Sequence, residues 1–299
     1  MIRIRKGELI IMKVTYIHHS CFVWEGKNTM IVYDYWRDTP HGKLHNILSS
    51  TGKQIYFVNS HFHEDHFSRD VLTWDRNKRT PPRLLLSHDI VKRRRVDKEL
   101  PSAIMRPGDH YEDEYILLDV YRSTDVGVST LITLKDDSHE SCFHAGDLNN
   151  WYFPEGDERL HILVHEMEGL YLSTLRDIQL DHPHVTHAML PLDPRLGLEQ
   201  LRGPSQWLAR IETSHFYPMH TWGRHEQAQE QIEQLAYLFP RTQFHYEADP
   251  ESMRIYGDFF EVVREQIELA ESGQLFAPKG ETSCPESENS GSEAPDIES

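Results

Sequence analysis

Four residues of types that bind metal ions lie close together in the sequence: His61, His63, Asp65 and His66. They directly follow the apolar run Gln54–Asn59, which predicts a β-strand. Side chains of an extended chain alternate, so His61 and His63 point the same way and can hold one ion. A turn after His63 would direct Asp65 and His66 toward a second ion. Imidazole and carboxylate ligands suit Zn, Mn or Fe, and two ions about 3.5–4 Å apart can share a hydroxide.

The HxHxDH pattern directly after a strand resembles the metal-binding motif of the metallo-β-lactamase superfamily. The resemblance covers roughly residues 12–240 and is closest to a bacterial branch defined by its sequence pattern rather than by its substrate. Four further segments carry it: Ser123–Ser129, Phe143–Trp151, Pro191–Gly197 and Pro218–Trp222. It implies an α/β fold, a four-layer αβ/βα sandwich with two sheets face to face, helices outside and a dimetal cleft at one edge.

The resemblance also implies later ligands. Asp147, in the pair Gly146-Asp147, matches an aspartate that bridges both metals, and His220 matches a histidine after a late strand. A histidine that usually completes the first site is missing, and Asp125 can replace it as an oxygen ligand. That change would let Mn or Fe compete with Zn. In the implied arrangement His61, His63 and Asp125 hold the first ion, Asp65, His66 and His220 hold the second, and Asp147 bridges.

A metal-dependent hydrolase is the function that this ligand set implies. Two divalent ions, with Zn the first expectation, would hold a hydroxide that attacks a phosphoester, ester, lactone or amide. Asp65 or Asp147 would accept the proton of the water. Two other functions stay open. The Asp125 oxygen ligand would tolerate a di-iron redox centre on the same scaffold, and the missing histidine would permit a non-catalytic metal-binding module.

Other polar residues could contact substrate or support the metal ligands. His19 lies inside the first strand group, where the superfamily often has a polar histidine near the metal cleft, so the resemblance makes it a candidate to contact substrate or to support a metal ligand. Asp193 and Arg195 lie in a proline-fixed loop after a later strand and could contact substrate. The alternatives are a structural role for His19 and a salt bridge within a rigid loop for Asp193 and Arg195. Asp34 ends a strand and either orients a metal-binding imidazole or simply occupies a turn.

A basic segment over residues 69–98 contrasts with a net charge of −17 for the whole chain. Such a run is usually a solvated face, and otherwise a patch that attracts phosphate. It favours an anionic small molecule, such as a phosphoester, as the substrate. The acidic chain argues against general nucleic-acid binding, although the basic segment leaves that partner open.

Alternating apolar patterns predict the elements that position these residues. Strands are expected in a hairpin of Lys13–Trp24 with Thr29–Tyr35, and at Gln54–Asn59, Arg83–Ser87, Tyr115–Tyr121, Ser129–Leu134, Ser141–His144, Val185–Leu192 and His215–Met219. Helices are expected at Ser68–Arg79, Leu160–Ile178, Glu226–Phe239 and Phe259–Ala270.

Length and composition place these elements in one domain. The 299 residues, 38% of them hydrophobic, suffice for one large α/β domain, which we assign to residues 1–271. Residues 272–299 are acidic and poor in large apolar side chains, so a disordered tail is expected. Three cysteines cannot form a disulfide framework. No apolar run is long enough for a membrane span or a signal peptide, so a cytoplasmic location is expected.

Overall fold

Two β-sheets packed face to face form the centre of the molecule. The computed structural model describes residues 13–75, 79–153 and 158–246. The strands of the first sheet lie side by side in chain order: β1 (Lys13–His18), β2 (Cys21–Glu25), β3 (Thr29–Tyr33), β4 (Gln54–Asn59), β5 (Arg83–Ser87) and β6 (Ala103–Met105). Strands β1 to β3 pair antiparallel, whereas β3 to β6 run parallel.

The second sheet repeats this mixed design. Its strands also lie side by side in chain order: β7 (His110–Glu112), β8 (Ile116–Arg122), β9 (Val128–Leu134), β10 (Ser141–His144), β11 (His184–Pro191), β12 (Glu212–Met219) and β13 (Gln243–Phe244). Strands β7 to β10 pair antiparallel, and β10 to β13 run parallel.

Helices cover the outer face of each sheet. They are α1 (Lys43–Ser49), α2 (His88–Arg93), α3 (Glu158–Asp181), α4 (Arg202–Leu208) and α5 (His225–Leu238), with 3₁₀ turns at Arg69–Leu72 and Pro194–Glu199. Helices α1 and α2 pack on the first sheet and the other three on the second. The expected four-layer αβ/βα sandwich is therefore confirmed.

Alternation along the strands explains why each sheet has two buried faces. In β3, Ile31 and Tyr33 face the second sheet, while Met30 and Val32 face the helices α1 and α2. All four are at most 2% exposed. A strand that is apolar on both faces is stable only when a layer covers each face. Such strand sequences therefore fit a layered domain and do not fit a sheet with one face exposed to solvent.

The parallel strands bring their carboxyl ends to one edge of the sandwich. At that edge lie the residues that follow β3, β4, β10, β11 and β12. Polar residues after these strands are therefore neighbours in space although they are distant in the sequence. Ligand sites of open α/β sheets form at such an edge.

Two predicted elements differ from the structure. The first expected strand, Lys13–Trp24, is divided into β1 and β2 by a turn at His19–Ser20. The expected helix Ser68–Arg79 is wrong, because the only helical turn among its described residues is the 3₁₀ turn Arg69–Leu72. Asp75 has a φ of 46°, which a right-handed helix does not allow, and the adjacent Trp74 packs edge-on against Tyr35 with ring centroids 5.4 Å apart.

The long amphipathic pattern at Leu160–Ile178 is confirmed as part of α3. The expected helix Phe259–Ala270 and the acidic tail 272–299 lie outside the described residues. Within the part of the chain that the structure describes, no helix combines the length and the apolar character needed to cross a membrane.

Candidate metal centre

The predicted ligands come together at the carboxyl edge of the two sheets, in two adjoining groups. We call the first the inner group, which comprises His19, Asp65, His66 and His220. The second is the outer group, which comprises His61, His63, Asp125 and Asp147. Within each group the candidate ligand atoms all lie within 4.8 Å of one another. All seven residues expected as ligands belong to these groups, and His19 joins them as an eighth.

The inner group lies almost entirely inside the protein. The side chains of His19 and His66 are 0% exposed, His220 is 2% exposed and Asp65 is 13% exposed. His19 Nε2 lies 3.2 Å from Asp65 Oδ2, and the Nε2 atoms of His66 and His220 are 3.0 Å apart. These atoms face a common point.

The outer group is open on one side. His61 is 0% exposed, whereas the side chains of His63 and Asp125 are 40% and 39% exposed. His63 Nδ1 lies 3.4 Å from Asp125 Oδ2, so the aspartate lies beside a candidate ligand of the outer group. Asp125 comes from the loop between β8 and β9, which closes over the residues after β4.

Asp147 is the member of the outer group that also contacts the inner group, and its side chain is 9% exposed. Its Oδ1 atom faces the inner group, at 3.0 Å from His220 Nε2 and 3.3 Å from His66 Nε2. Its Oδ2 atom faces the outer group, at 3.5 Å from His61 Nε2. The two oxygens of one carboxylate thus point at two different sets of ligand atoms.

Buried carboxylates lie behind two of the inner histidines. Asp34, which follows β3, has Oδ2 at 2.7 Å from His66 Nδ1 and also binds the backbone and side chain of Ser60. Asp193, which follows β11, has Oδ2 at 3.2 Å from His220 Nδ1. Both aspartates are 0% exposed. A carboxylate behind an imidazole fixes the ring and holds the proton on Nδ1, which leaves Nε2 as the ligand atom.

Those contacts show that the site fits cations. With Nδ1 of each ring facing a carboxylate, the Nε2 atoms of His66 and His220 face each other at 3.0 Å. Two imidazole nitrogens at this distance need an electrophile beside both, which is a proton in the metal-free protein and would be a metal ion when one is bound. His61 Nε2 is also buried and has no hydrogen-bond partner among the described residues. Imidazole nitrogens and carboxylate oxygens in this arrangement are the donor set of Zn, Mn or Fe.

The charges of the site depend on which groups are neighbours. Burial alone would lower the pKa of His66, but the carboxylates of Asp147, Asp65 and Asp34 raise this pKa to about 10. Burial lowers the pKa of His61 to about 3, and the adjacent His66 adds to that effect. One imidazole therefore retains a proton where several carboxylates surround it.

The pKa values of the carboxylates also depend on their neighbours, and those of Asp147 and Asp65 are lowered. Burial would raise the pKa of Asp147, but the imidazoles of His66, His220 and His61 hold it well below its usual range. Asp65 behaves in the same way, because His66 and His19 outweigh its burial. The pKa of Asp125 is raised, first by burial and then by the nearby charge of Asp147. The site keeps buried negative charge that a cation would balance.

Unusual backbone conformations bring the ligands into place. His19, Asp34 and His220 have φ angles of 49°, 42° and 61°. Non-glycine residues in this region cost about 1–3 kcal/mol each, and such strain concentrates at functional sites. Gly127 and Gly146 also have positive φ, and a Cβ at either would lie within 3 Å of Ser60 atoms. These glycines let the loops after β8 and β10 approach the HxHxDH loop.

Two of the three candidate substrate contacts, His19 and Asp193, lie among or directly behind the candidate metal ligands. His19 lies on the β1–β2 turn inside the inner group, because the turn at His19–Ser20 inserts its ring beside His220, with centroids 4.0 Å apart. Asp193 is fully buried and binds His220, Trp222 and Arg195, so it supports a ligand instead of facing substrate.

Arg195 contacts both the buried Asp193 and two tryptophan rings, Trp151 and Trp222. Its guanidinium binds Asp193 through three contacts of 2.6–3.0 Å and lies 5.1 Å and 5.7 Å from the ring centroids of Trp222 and Trp151. Its side chain is 26% exposed. The salt bridge that the sequence left as an alternative is present.

Comparison with known protein families identifies the family to which this chain belongs. The family profile described as "Beta-lactamase superfamily domain" matches residues 13–220, and the chain belongs to this family. Among curated protein sequences, no significant match is found.

Three solved structures share the fold at low sequence identity. Igni18, a novel metallo hydrolase from the archaeon Ignicoccus hospitalis KIN4/I, is 20% identical with a TM-score of 0.51, over 79% of this chain and 94% of that one. A possible metal-dependent hydrolase from Veillonella parvula is 11% identical with a TM-score of 0.51, over 80% and 98% of the two chains. A mutant of CmlA, a diiron β-hydroxylase from Streptomyces venezuelae, is 11% identical with a TM-score of 0.53, over 81% and 54%.

Proposed function

We propose that this chain is a dinuclear metal-dependent hydrolase that acts on an anionic small molecule. The observation that carries the proposal is the position of Asp147, whose two carboxylate oxygens face the inner and the outer group separately. A carboxylate placed in this way is suited to bridge two ions that each group would hold. The inner group would supply three imidazoles and Asp65, and the outer group two imidazoles and Asp125.

Bound divalent ions would acidify a water molecule near neutral pH and polarise the bond to be cleaved. The protein's own part is to orient ligands and to move a proton. Asp34 and Asp193 hold the rings of His66 and His220, and the burial of these pairs excludes bulk water. Asp65 or Asp147 is the proposed proton acceptor, since both carboxylates lie among the candidate ligands, and Asp65 also lines an open cavity.

The surroundings of the site favour an anionic substrate. Only part of the basic segment lies at the cleft, because Arg83 is paired with Asp113 away from it, whereas Arg69 and Arg94 line the cavity beside Asp65. Guanidinium groups recognise phosphate and carboxylate oxygens. A phosphodiester is therefore the first substrate class to test, followed by lactones.

The test is hydrolysis of bis(p-nitrophenyl) phosphate and of a lactone panel by metal-loaded protein, before and after removal of metal with a chelator. We expect turnover that is lost with the chelator and restored by Zn or Mn. Asp147→Asn should abolish it, whereas Asp137→Asn, a matched change at a side chain 94% exposed, should leave it intact. Turnover that survives in Asp147→Asn would overturn the proposal.

A di-iron redox centre is the second candidate. The oxygen ligand offered by Asp125 in place of an imidazole favours it, because harder ligands suit iron. The structural similarity to CmlA concerns the fold alone. Protein produced with iron should then contain two iron ions and consume oxygen in the presence of a reductant. Iron-loaded protein that hydrolyses esters without oxygen consumption would exclude this candidate.

A further inference from the structure

A cavity of about 310 Å³ opens beside the inner group and shares Asp65 with it. This volume falls in the range of small-molecule sites, about 300–1,000 Å³. Trp36 and Phe67 provide its apolar wall. Its cationic lining comes from three side chains: Arg37, Arg69 and Arg94. The cavity therefore borders the candidate catalytic centre. It is also lined by three positive side chains, although the whole chain has a net charge of −17.

Two of the arginines are held by backbone carbonyls. Arg94 Nε donates to the Phe62 carbonyl at 2.9 Å, and Arg69 Nη1 donates to the Arg94 carbonyl at 2.6 Å. Each contact uses one of the five N–H donors of a guanidinium. These bonds connect both side chains to the HxHxDH loop and to the end of α2, so their charged ends have a defined position relative to Asp65.

The backbone of Arg37 is held by a buried histidine, His18. Its guanidinium lies 4.6 Å from the ring centroid of Trp36. The Trp36 indole N–H donates to His18 Nδ1 at 2.6 Å, and His18 Nε2 donates to the Arg37 carbonyl. His18 is 0% exposed and uses both ring nitrogens as a neutral imidazole. The loop after β3 thus presents Arg37 and its aromatic neighbour to the cavity as one unit.

The charge of the lining indicates what the cavity binds. Three guanidiniums are opposed by Glu64, which is 83% exposed and 3.8 Å from Arg94, and by Asp65, which belongs to the inner group. The lining therefore keeps one net positive charge, and its three guanidiniums offer many N–H donors. A phosphate group, with three terminal oxygens, can accept from more of these donors than a carboxylate, which has two.

We propose that this cavity is a phosphate subsite, which holds a terminal phosphate of the substrate while a second group of the same molecule lies at the metal centre. The proposal rests on the proposed function for that second contact only. It makes the natural substrate a molecule with two anionic groups, one at the reacting end and one distant from it.

Ligand binding tests the subsite without any turnover. Metal-loaded protein is titrated calorimetrically with propane-1,3- and pentane-1,5-bisphosphonate and with the matching propyl- and pentylphosphonate, which share one metal-binding group. We expect at least one bisphosphonate to bind about tenfold or more tightly than its monophosphonate. In the double variant Arg37→Gln/Arg69→Gln this ratio should fall to about one to two, with the affinity for monophosphonate and the metal content unchanged.

The matched control is Arg176→Gln, which changes a side chain 70% exposed on α3 and should keep the full ratio. The single variants Arg37→Gln and Arg69→Gln should each give an intermediate ratio, which guards against misfolding of the double variant. No preference for either bisphosphonate in the unaltered chain, or a preference retained in the double variant, would overturn the subsite. A preference in a chain that hydrolyses none of the tested esters would support the subsite and contradict the proposed function.

Discussion

The inner and outer groups offer one kind of ligand in two different environments. Inner side chains are at most 13% exposed, and two of their imidazoles are backed by buried aspartates. In the outer group His63 and Asp125 are about two-fifths exposed, and His61 Nδ1 contacts a serine hydroxyl, Ser60 Oγ, at 3.0 Å. Ligands that are rigid and dehydrated bind a metal more tightly than ligands that must be ordered first. We therefore expect the inner ion to be the permanent one and the outer ion to exchange.

Asp147→Ala should have the largest effect, because it removes the contact that both groups share. We expect no detectable turnover and the loss of at least one ion per chain, measured by elemental mass spectrometry. The loss should exceed the roughly 10–100-fold cost of removing a supporting carboxylate. Normal activity with normal metal content in this variant would mean that Asp147 is no bridge.

Removing one histidine from each group should separate the two. His63→Ala should keep about one ion per chain, since the inner group is intact, whereas His66→Ala should keep less than one. His165→Ala, at a histidine 66% exposed on α3, is the matched control and should keep both ions. If His63→Ala and His66→Ala lose metal equally, the contrast between the groups is wrong.

Asp193→Asn should weaken the inner ion without touching a ligand atom. The amide cannot hold His220 Nδ1–H as a carboxylate does, so we expect affinity for the tighter ion to fall by about 10–100-fold. Competition with a chromophoric chelator measures this affinity. The weaker ion should be unaffected, and an unchanged tighter affinity would show that Asp193 serves only its bonds to Arg195 and Trp222.

Asp125→His should have the smallest effect, which is a change in the metal preference of the outer site. Replacing the oxygen ligand with the imidazole common in this superfamily should shift the preference of the weaker site from Mn or Fe toward Zn. Parallel titrations with Zn and Mn would measure the shift. A metal preference identical to that of the unaltered chain would place Asp125 outside the coordination sphere.

Much of the fold and of the ligand set could be predicted because the relevant information is local. The spacing of His61, His63, Asp65 and His66 and the positions of Asp147 and His220 after apolar strands are visible in the sequence. Asp125 could be placed by the family pattern, although its proximity to His63 required the β8–β9 loop to be seen.

Other parts of the site depend on packing that no local pattern encodes. His19 was one candidate for a substrate contact, and the β1–β2 turn places it among the candidate metal ligands, which no local pattern shows. Asp193 faces His220 only because β11 and β12 are neighbours in the sheet. The helix expected at Ser68–Arg79 also fails, because the sequence pattern shows neither the positive φ of Asp75 nor the packing of Trp74 on Tyr35.

Native mass spectrometry of the metal-saturated chain tests the central claim most directly, because it resolves molecules with zero, one and two ions. The account predicts a dominant species with two ions, and on titration with a chelator a well-populated species with one ion before the metal-free chain appears. A single ion at saturation would contradict the dinuclear centre, and loss of both ions in one step would contradict the difference between its two halves.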